Sequence, residues 1–243
     1  MIPRRIFLWL VPLLACCALA GGRFDRRPPA DVILRVSYDS AAPIDRSLSN
    51  ITGTTVGGAT FSHSVMTVDG DGDGSGHGST VLIPESVAAP FTISVWVYPT
   101  AIDTSGFSAI CGLRTSSSAT FQFWLNNSVG YADISWGTET WGEMKASLST
   151  FLNRWNHIVL SYDGTGKQTA SAWKLYQDGA SKTVSASGSF VAYNVDNGIG
   201  KFRTADNIAD FVGKIDSFTL FNRALSEAEI VALYAEELQE YRP

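Results

Sequence analysis

Trp155-Asn156-His157-Ile158-Val159-Leu160-Ser161-Tyr162-Asp163-Gly164 is followed by Trp173-Lys174-Leu175-Tyr176-Gln177-Asp178-Gly179. Each is a short apolar run, rich in β-branched and aromatic residues and closed by a turn pair, which predicts strands over residues 157–162 and 173–177. A Gly-rich connection, Asp163 to Gln168, joins them. Asp178 and Gly179 tolerate the positive φ of a primed two-residue turn, so the second strand folds back into a third over residues 181–187. Downstream, Phe211-Val212-Gly213-Lys214-Ile215-Asp216 reads as a closing strand, and Phe221-Asn222-Arg223-Ala224-Leu225-Ser226 leads into the one convincing helix, residues 226–240. There Ser226 and Glu229 match a capping box, and Ile230, Leu233 and Tyr234 form the apolar stripe.

Working outward, period-two alternation recurs. Val32, Leu34, Val36 and Tyr38 alternate with Ile33, Arg35 and Ser37. Phe91, Ile93, Val95 and Val97 alternate with Thr92, Ser94, Trp96 and Tyr98, ended by Pro99. Phe121-Gln122-Phe123-Trp124-Leu125 runs into a turn at Asn126-Asn127. There is no βαβ alternation, no internal repeat and no second domain. Many short strands, turns at regular intervals and one terminal helix predict an all-β fold, an antiparallel β-sandwich with one short C-terminal helix. Val95, Val97, Phe121, Phe123, Ile158, Leu160 and Tyr162 are expected in one core between two sheets, with the helix lying on the sandwich through Ile230 and Leu233. Trp96, Trp155 and Trp173 are also expected in the core.

As a set, the four C-terminal segments together with Phe91-Thr92-Ile93-Ser94-Val95-Trp96-Val97-Tyr98-Pro99-Thr100 resemble the laminin-G-like branch of the concanavalin A-like lectin/glucanase superfamily. The resemblance runs in family order from about Val32 to Tyr234 and implies a jelly roll. It speaks for the fold; function lives in the site that a particular chain carries.

With 243 residues, 45% hydrophobic and 17% charged, the chain can bury a proper core. Lys+Arg 18 against Asp+Glu 23, with no basic run, argues against nucleic acid, whose binding relies on clustered cations. Residues 1–20 read as a signal peptide: Arg4-Arg5 as the charged end, Ile6 to Ala15 as the apolar stretch, and Ala18-Leu19-Ala20 as a small-x-small cleavage pattern. A membrane span needs about 20 apolar residues; this run is shorter and carries Pro12. Arg4-Arg5-Ile6-Phe7-Leu8 also resembles a twin-arginine signal, and Leu13-Leu14-Ala15-Cys16 partly resembles a bacterial lipobox, which would attach a lipid to Cys16. Residues 21–30 read as a linker and 31–243 as the jelly-roll domain. The expected location is extracellular or in the cell envelope. Beyond the leader only Cys111 remains, so stability is expected from core burial without an internal disulfide, and Cys111 reads as a buried inert thiol.

Catalytic chemistry is sparse. A retaining glycosidase needs two carboxylates about 5–5.5 Å apart. Laminarinase-like enzymes of the resembled superfamily place Glu, Asp and Glu at alternate positions of one strand. Glu139-Thr140-Trp141-Gly142-Glu143 is the nearest match, and Trp141 stands where the middle Asp belongs. His63, His77 and His157 have no partner at metal-ligand spacing, and His157 reads as a hydrogen-bonded structural histidine.

Two structural calcium sites are weighed. Asp69, Asp71 and Asp73, with Gly74 at position six, match the front half of an EF-hand-type loop, but Thr80 replaces the acid at position twelve. The favoured site comes from the resemblance, which implies one calcium where the first and last strands meet, here Asp39 with Asp216. The rival reading makes these carboxylates exposed or capped turn residues.

For a ligand, Trp124 shares a strand face with Gln122 and Asn126, and Tyr131, Asp133, Trp136 and Trp141 follow nearby. Aromatic rings flanked by amides and carboxylates suit sugars, because the ring packs on C–H groups while polar groups take the hydroxyls. In that role Trp124 would be an exposed platform; otherwise it is core. The expected function is a secreted or surface-attached, non-catalytic module that recognises carbohydrate. Its rival is a protein-interaction or structural cell-envelope module, and a remote third is a glycoside hydrolase.

Overall fold

All seven residues of the strand Asn156–Tyr162 are buried. Such burial requires cover on both faces, and the computed structural model supplies it. The structure describes residues 31–38, 44–45, 53–56, 59–62, 65–68, 78–81, 89–102, 107–114, 120–126, 131–137, 142–149, 151–166, 169–186, 198–201 and 211–241.

Among these residues the strands form two antiparallel sheets. The first runs in the order Ala180–Lys182, Trp173–Gln177, Asn156–Tyr162, Phe91–Pro99, Gly213–Phe221, Val32–Ser37, Ile44–Asp45, with Val65–Val68 and Thr60–Ser62 paired beyond Gly213–Phe221. The second runs Val184–Ala186, Gly142–Ser147, Tyr131–Gly137, Thr120–Asn126, Phe107–Arg114, Gly198–Ile199, Gly78–Val81, Gly53–Val56.

Register assigns the faces. Ile158, Leu160 and Tyr162 lie opposite Val95, Ile93 and Phe91, and all six join Phe123, Leu125, Met144 and Ala146 of the second sheet in one inter-sheet core. Six of the seven expected core residues are therefore found there; the side chain of Phe121 lies outside the described residues. The alternate set, Trp96, His157 and Val159, faces the opposite way. A second apolar cluster forms on that side from Val32, Val159, Tyr176, Phe221, Leu225 and Ile230, with Leu233 packed against it. The helix Glu227–Tyr241 thus covers the outer face of the first sheet through the two residues expected of it. No described helix is long and apolar enough to cross a membrane.

Local chemistry sets the boundaries. Ser226 Oγ accepts the Glu229 N–H at 3.3 Å and the Glu229 carboxylate accepts the Ser226 N–H at 2.8 Å, a reciprocal cap. Arg223 pairs with Asp31 and, at 2.7 Å, with Glu229, fastening the helix start to the first strand. The Asp178-Gly179 turn has φ of 53° and 74°, as a primed hairpin demands.

Two expectations change. The strand expected over 181–187 is two strands: Leu175 pairs with Lys182, whereas Met144 pairs with Ala186, so the chain changes sheet at Thr183. Trp96 is core as expected, but on the helix side of the first sheet, whereas Trp155 is not core. Trp96 is buried beneath the helix, where Tyr234 stacks on it at 5.9 Å, and Trp155 is half-buried against Tyr98. Trp173 is core. A strand buried on both sides hides its phase, which is why alternation alone did not separate these tryptophans.

Candidate ligand-binding face

The face of the second sheet that points away from the core carries the polar register. Trp124 lies opposite Ala109 on one side and Asp133 on the other; Asp133 lies opposite Lys145, and Lys145 opposite Ser185. Residues directly opposite on antiparallel strands share a face. The flanking rows are Gln122–Ser135–Glu143 and Asn126–Tyr131–Ser147. Phe123 and Leu125, one residue out of phase, belong to the inter-sheet core, and Trp124 does not.

This register unites five of the expected ligand residues: Gln122, Trp124, Asn126, Tyr131 and Asp133. It separates Trp136, which pairs with Phe121 and falls in the alternate set with Ile134. Trp141 lies outside the described residues. Exposure is corrected. Trp124 is 1% and Gln122 0% exposed, so Trp124 is no open platform, whereas Asn126 and Lys145 are half-buried and Ser147 is exposed. Sequence reasoning missed Lys145. The alternation Glu143, Lys145, Ser147 against Met144, Ala146 was the signal available for it.

Asp216 is buried, and its carboxylate accepts the N–H of Ser217 at 2.6 Å. Ser217 has φ of 50°, and the pairing with Phe91–Pro99 slips between Asp216 and Thr219. Asp216 is thus a capped residue at a strand irregularity. The first and last strands do pair here, with Val36 opposite Phe218, but Asp39, like Asp69, Asp71 and Asp73, lies outside the described residues. Among the described residues no three acidic, His or Cys groups converge on a common point. A calcium ion takes six to eight oxygens, and Asp216 by itself supplies one carboxylate.

Ser94, His157 and Glu237 have the composition of a hydrolytic triad without its geometry. Ser94 Oγ and Glu237 Oε2 both approach the same nitrogen, His157 Nε2, at 2.8 and 3.5 Å. A relay needs nucleophile and carboxylate on opposite ring nitrogens, and here Nδ1 is buried with no partner. Ser94 and His157 are both inaccessible to solvent. Burial pushes the imidazole pKa down to about 3, so the ring is neutral and structural, as expected. Trp96 and Tyr234 stack on it at 5.0 and 5.7 Å. Cys111 is fully buried, and burial raises its thiol pKa, which keeps it protonated and inert. Glu139 and the side chain of Glu143 lie outside the described residues.

The laminin G model of the concanavalin A-like lectin/glucanases superfamily matches residues 73–231. No curated protein matches the chain in sequence. Among solved structures, domain 4 of AbnA, a GH43 extracellular arabinanase from Geobacillus stearothermophilus in complex with arabinotriose, aligns with a TM-score of 0.59 at 17% identity, over 84% of this chain and 98% of that one. The receptor binding domain of the botulinum neurotoxin C/D mosaic serotype aligns at 0.62 and 17% identity, over 86% and 52%. Botulinum neurotoxin type C, which depends on two ganglioside molecules to enter cells, aligns at 0.62 and 14%, over 85% and 51%. The chain spans about half the length of the toxin chains it matches. At these identities the likeness shows the fold.

Proposed function

Because this chain belongs to the laminin-G family of the concanavalin A-like lectin/glucanases superfamily, we propose that it is a non-catalytic binding module that recognises carbohydrate through the outer face of its second sheet. The observation that carries the reading is the row Trp124–Asp133–Lys145–Ser185, in register across four strands on the side away from the core. A buried indole makes the floor, and the half-buried Asn126 and Lys145 with the exposed Ser147 are the groups a sugar hydroxyl would meet. Tyr131 and Asp133 complete the set. Domain 4 of the arabinanase, crystallised with arabinotriose, and the ganglioside-dependent toxin support the choice of glycan over other ligands.

The module acts outside the cell or in its envelope, delivered by the signal peptide and free or lipid-attached through Cys16. Calcium, held by Asp39 with Asp216 or by Asp69, Asp71 and Asp73, is a structural ion in this reading. A glycan array run with and without calcium tests it. Binding to a defined glycan class, lost in Asn126→Ala and Lys145→Ala, is the expected result. Silence across the array with capture of one envelope protein would replace the reading by an interaction module. Release of reducing sugar that disappears in Glu139→Gln would replace it by a hydrolase.

A further inference from the structure

We propose a second saccharide site, selective for carboxylated sugars, on the outer face of the first sheet at Trp155, Tyr98 and Lys214. It lies across the sandwich from the polar row of the second sheet and stands independently of it.

The site is one row out from Trp96, which the helix covers. His157 lies opposite Trp96 and Asn156 opposite Val97, which brings Trp155 level with Tyr98. Tyr98 lies opposite Lys214, Lys214 opposite Thr67, and Thr67 opposite Thr60. One face therefore carries, in order across five strands, two aromatic rings, a cation and two hydroxyls. The rings meet at 5.7 Å with planes 70° apart, forming an angled notch, and both residues are half-buried, with part of each in solvent. Leu152, one of two exposed large apolar residues among those described, sits in the adjoining turn, where Asn153 N–H bonds to the Pro99 carbonyl at 2.7 Å.

Lys214 decides the ligand class. It is exposed, its Nζ stands 5.7 Å over the Tyr98 ring, and it makes no ion pair among the described residues. The next carboxylate on its strand, Asp216, is buried one row inward and capped by Ser217. A cation with no counter-ion among the described residues, beside two aromatic rings, matches a sugar ring that carries its own carboxylate. The rings take the C–H face, the ammonium takes the charge, and Thr67 and Thr60 take hydroxyls. A neutral sugar could accept a hydrogen bond from the ammonium but would leave its charge unpaired.

Isothermal titration of the full chain with two matched pairs, oligogalacturonate against its methyl ester and sialyllactose against lactose, tests the site. We expect the acidic member of a pair to bind up to about fivefold more tightly than its neutral partner, the upper end of what one exposed ion pair supplies. Lys214→Gln should erase that ratio and Lys214→Arg should keep it, both at wild-type melting temperature. Trp155→Ala should weaken acidic and neutral members alike by about tenfold. If Trp155→Ala also melts early, the Gln and Arg variants of Lys214 decide alone. No binding of either acidic probe, or binding indifferent to Lys214→Gln, overturns the proposal. Loss of acidic-sugar binding in Asn126→Ala instead would assign it to the second sheet and overturn it equally.

Discussion

Trp96 donates its indole N–H to Glu237 at 2.7 Å, across 141 residues of sequence. The bond ties the central strand of the first sheet to the third turn of the helix that covers it. Glu237→Ala should lower the unfolding free energy by about 1.5–3 kcal/mol, the range for a hydrogen bond to a charged group. Urea unfolding of Glu237→Ala beside Glu237→Gln, which keeps an acceptor, checks this; equal loss in both would mean the carboxylate charge matters more than the bond.

Stability should fall in acid because of His157. Burial holds its native pKa at about 3, below the ordinary 6.5, despite a carboxylate 3.5 Å from Nε2. Between those values the unfolded chain takes up a proton that the native ring refuses. The contribution is therefore complete above about pH 6.5 and is lost as pH falls toward 3, by at most ~1.4 kcal/mol per unit. Unfolding curves at pH 7, 5.5 and 4.5 measure the slope, and His157→Gln, which keeps an amide near Ser94, should flatten it.

Two glycines should resist replacement, to different degrees. Gly213 has φ of +140°, and a Cβ there would lie 2.1 Å from the Tyr98 carbonyl oxygen. Gly213→Ala should cost more than about 3 kcal/mol, since backbone strain adds to a clash with main chain. Gly179→Ala meets the edge of the Tyr234 ring at 2.8 Å with φ of +74°. That ring belongs to the helix and can give, so the loss should be smaller. Melting temperatures in that order are the check.

The two roles once open for Trp124 separate by measurement. Trp124→Ala should cost about 3–5 kcal/mol, as for other buried aromatic truncations. Asn126→Ala, half-buried at the strand end, should leave melting nearly unchanged while abolishing glycan binding. A stable Trp124→Ala variant would contradict the burial described above.

Calcium should raise the melting temperature if either acidic set binds it, because an ion held only by the native state stabilises by mass action. Asp216→Ala should remove the shift if the strand-junction site is responsible. A shift that persists in Asp216→Ala and vanishes when Asp69, Asp71 and Asp73 become Asn would assign the ion to those three aspartates.

Local pattern carried most of the fold. The apolar run of residues 157–162, the alternation in 91–97, the Asp178-Gly179 turn and the Ser226–Glu229 box each specify their own geometry from side chains a few residues apart. Relationships between distant segments were not legible. Glu237 continues the stripe of Ile230, Leu233 and Tyr234, but nothing local says that the polar residue in that stripe will meet an indole. Trp124 shows the same limit at the site: alternation gave its face and its polar neighbours, while its burial depends on what the rest of the chain brings near.

The helix seat has a consequence for the order of assembly. Ser94 and His157, 63 residues apart, must already be in register before Tyr234 has stacked rings to cover or Glu237 an indole to accept from. The seat does not exist in either strand by itself, and pairing of such distant segments is the slow part of forming a sheet. The helix therefore has no complete seat until the sheet has formed.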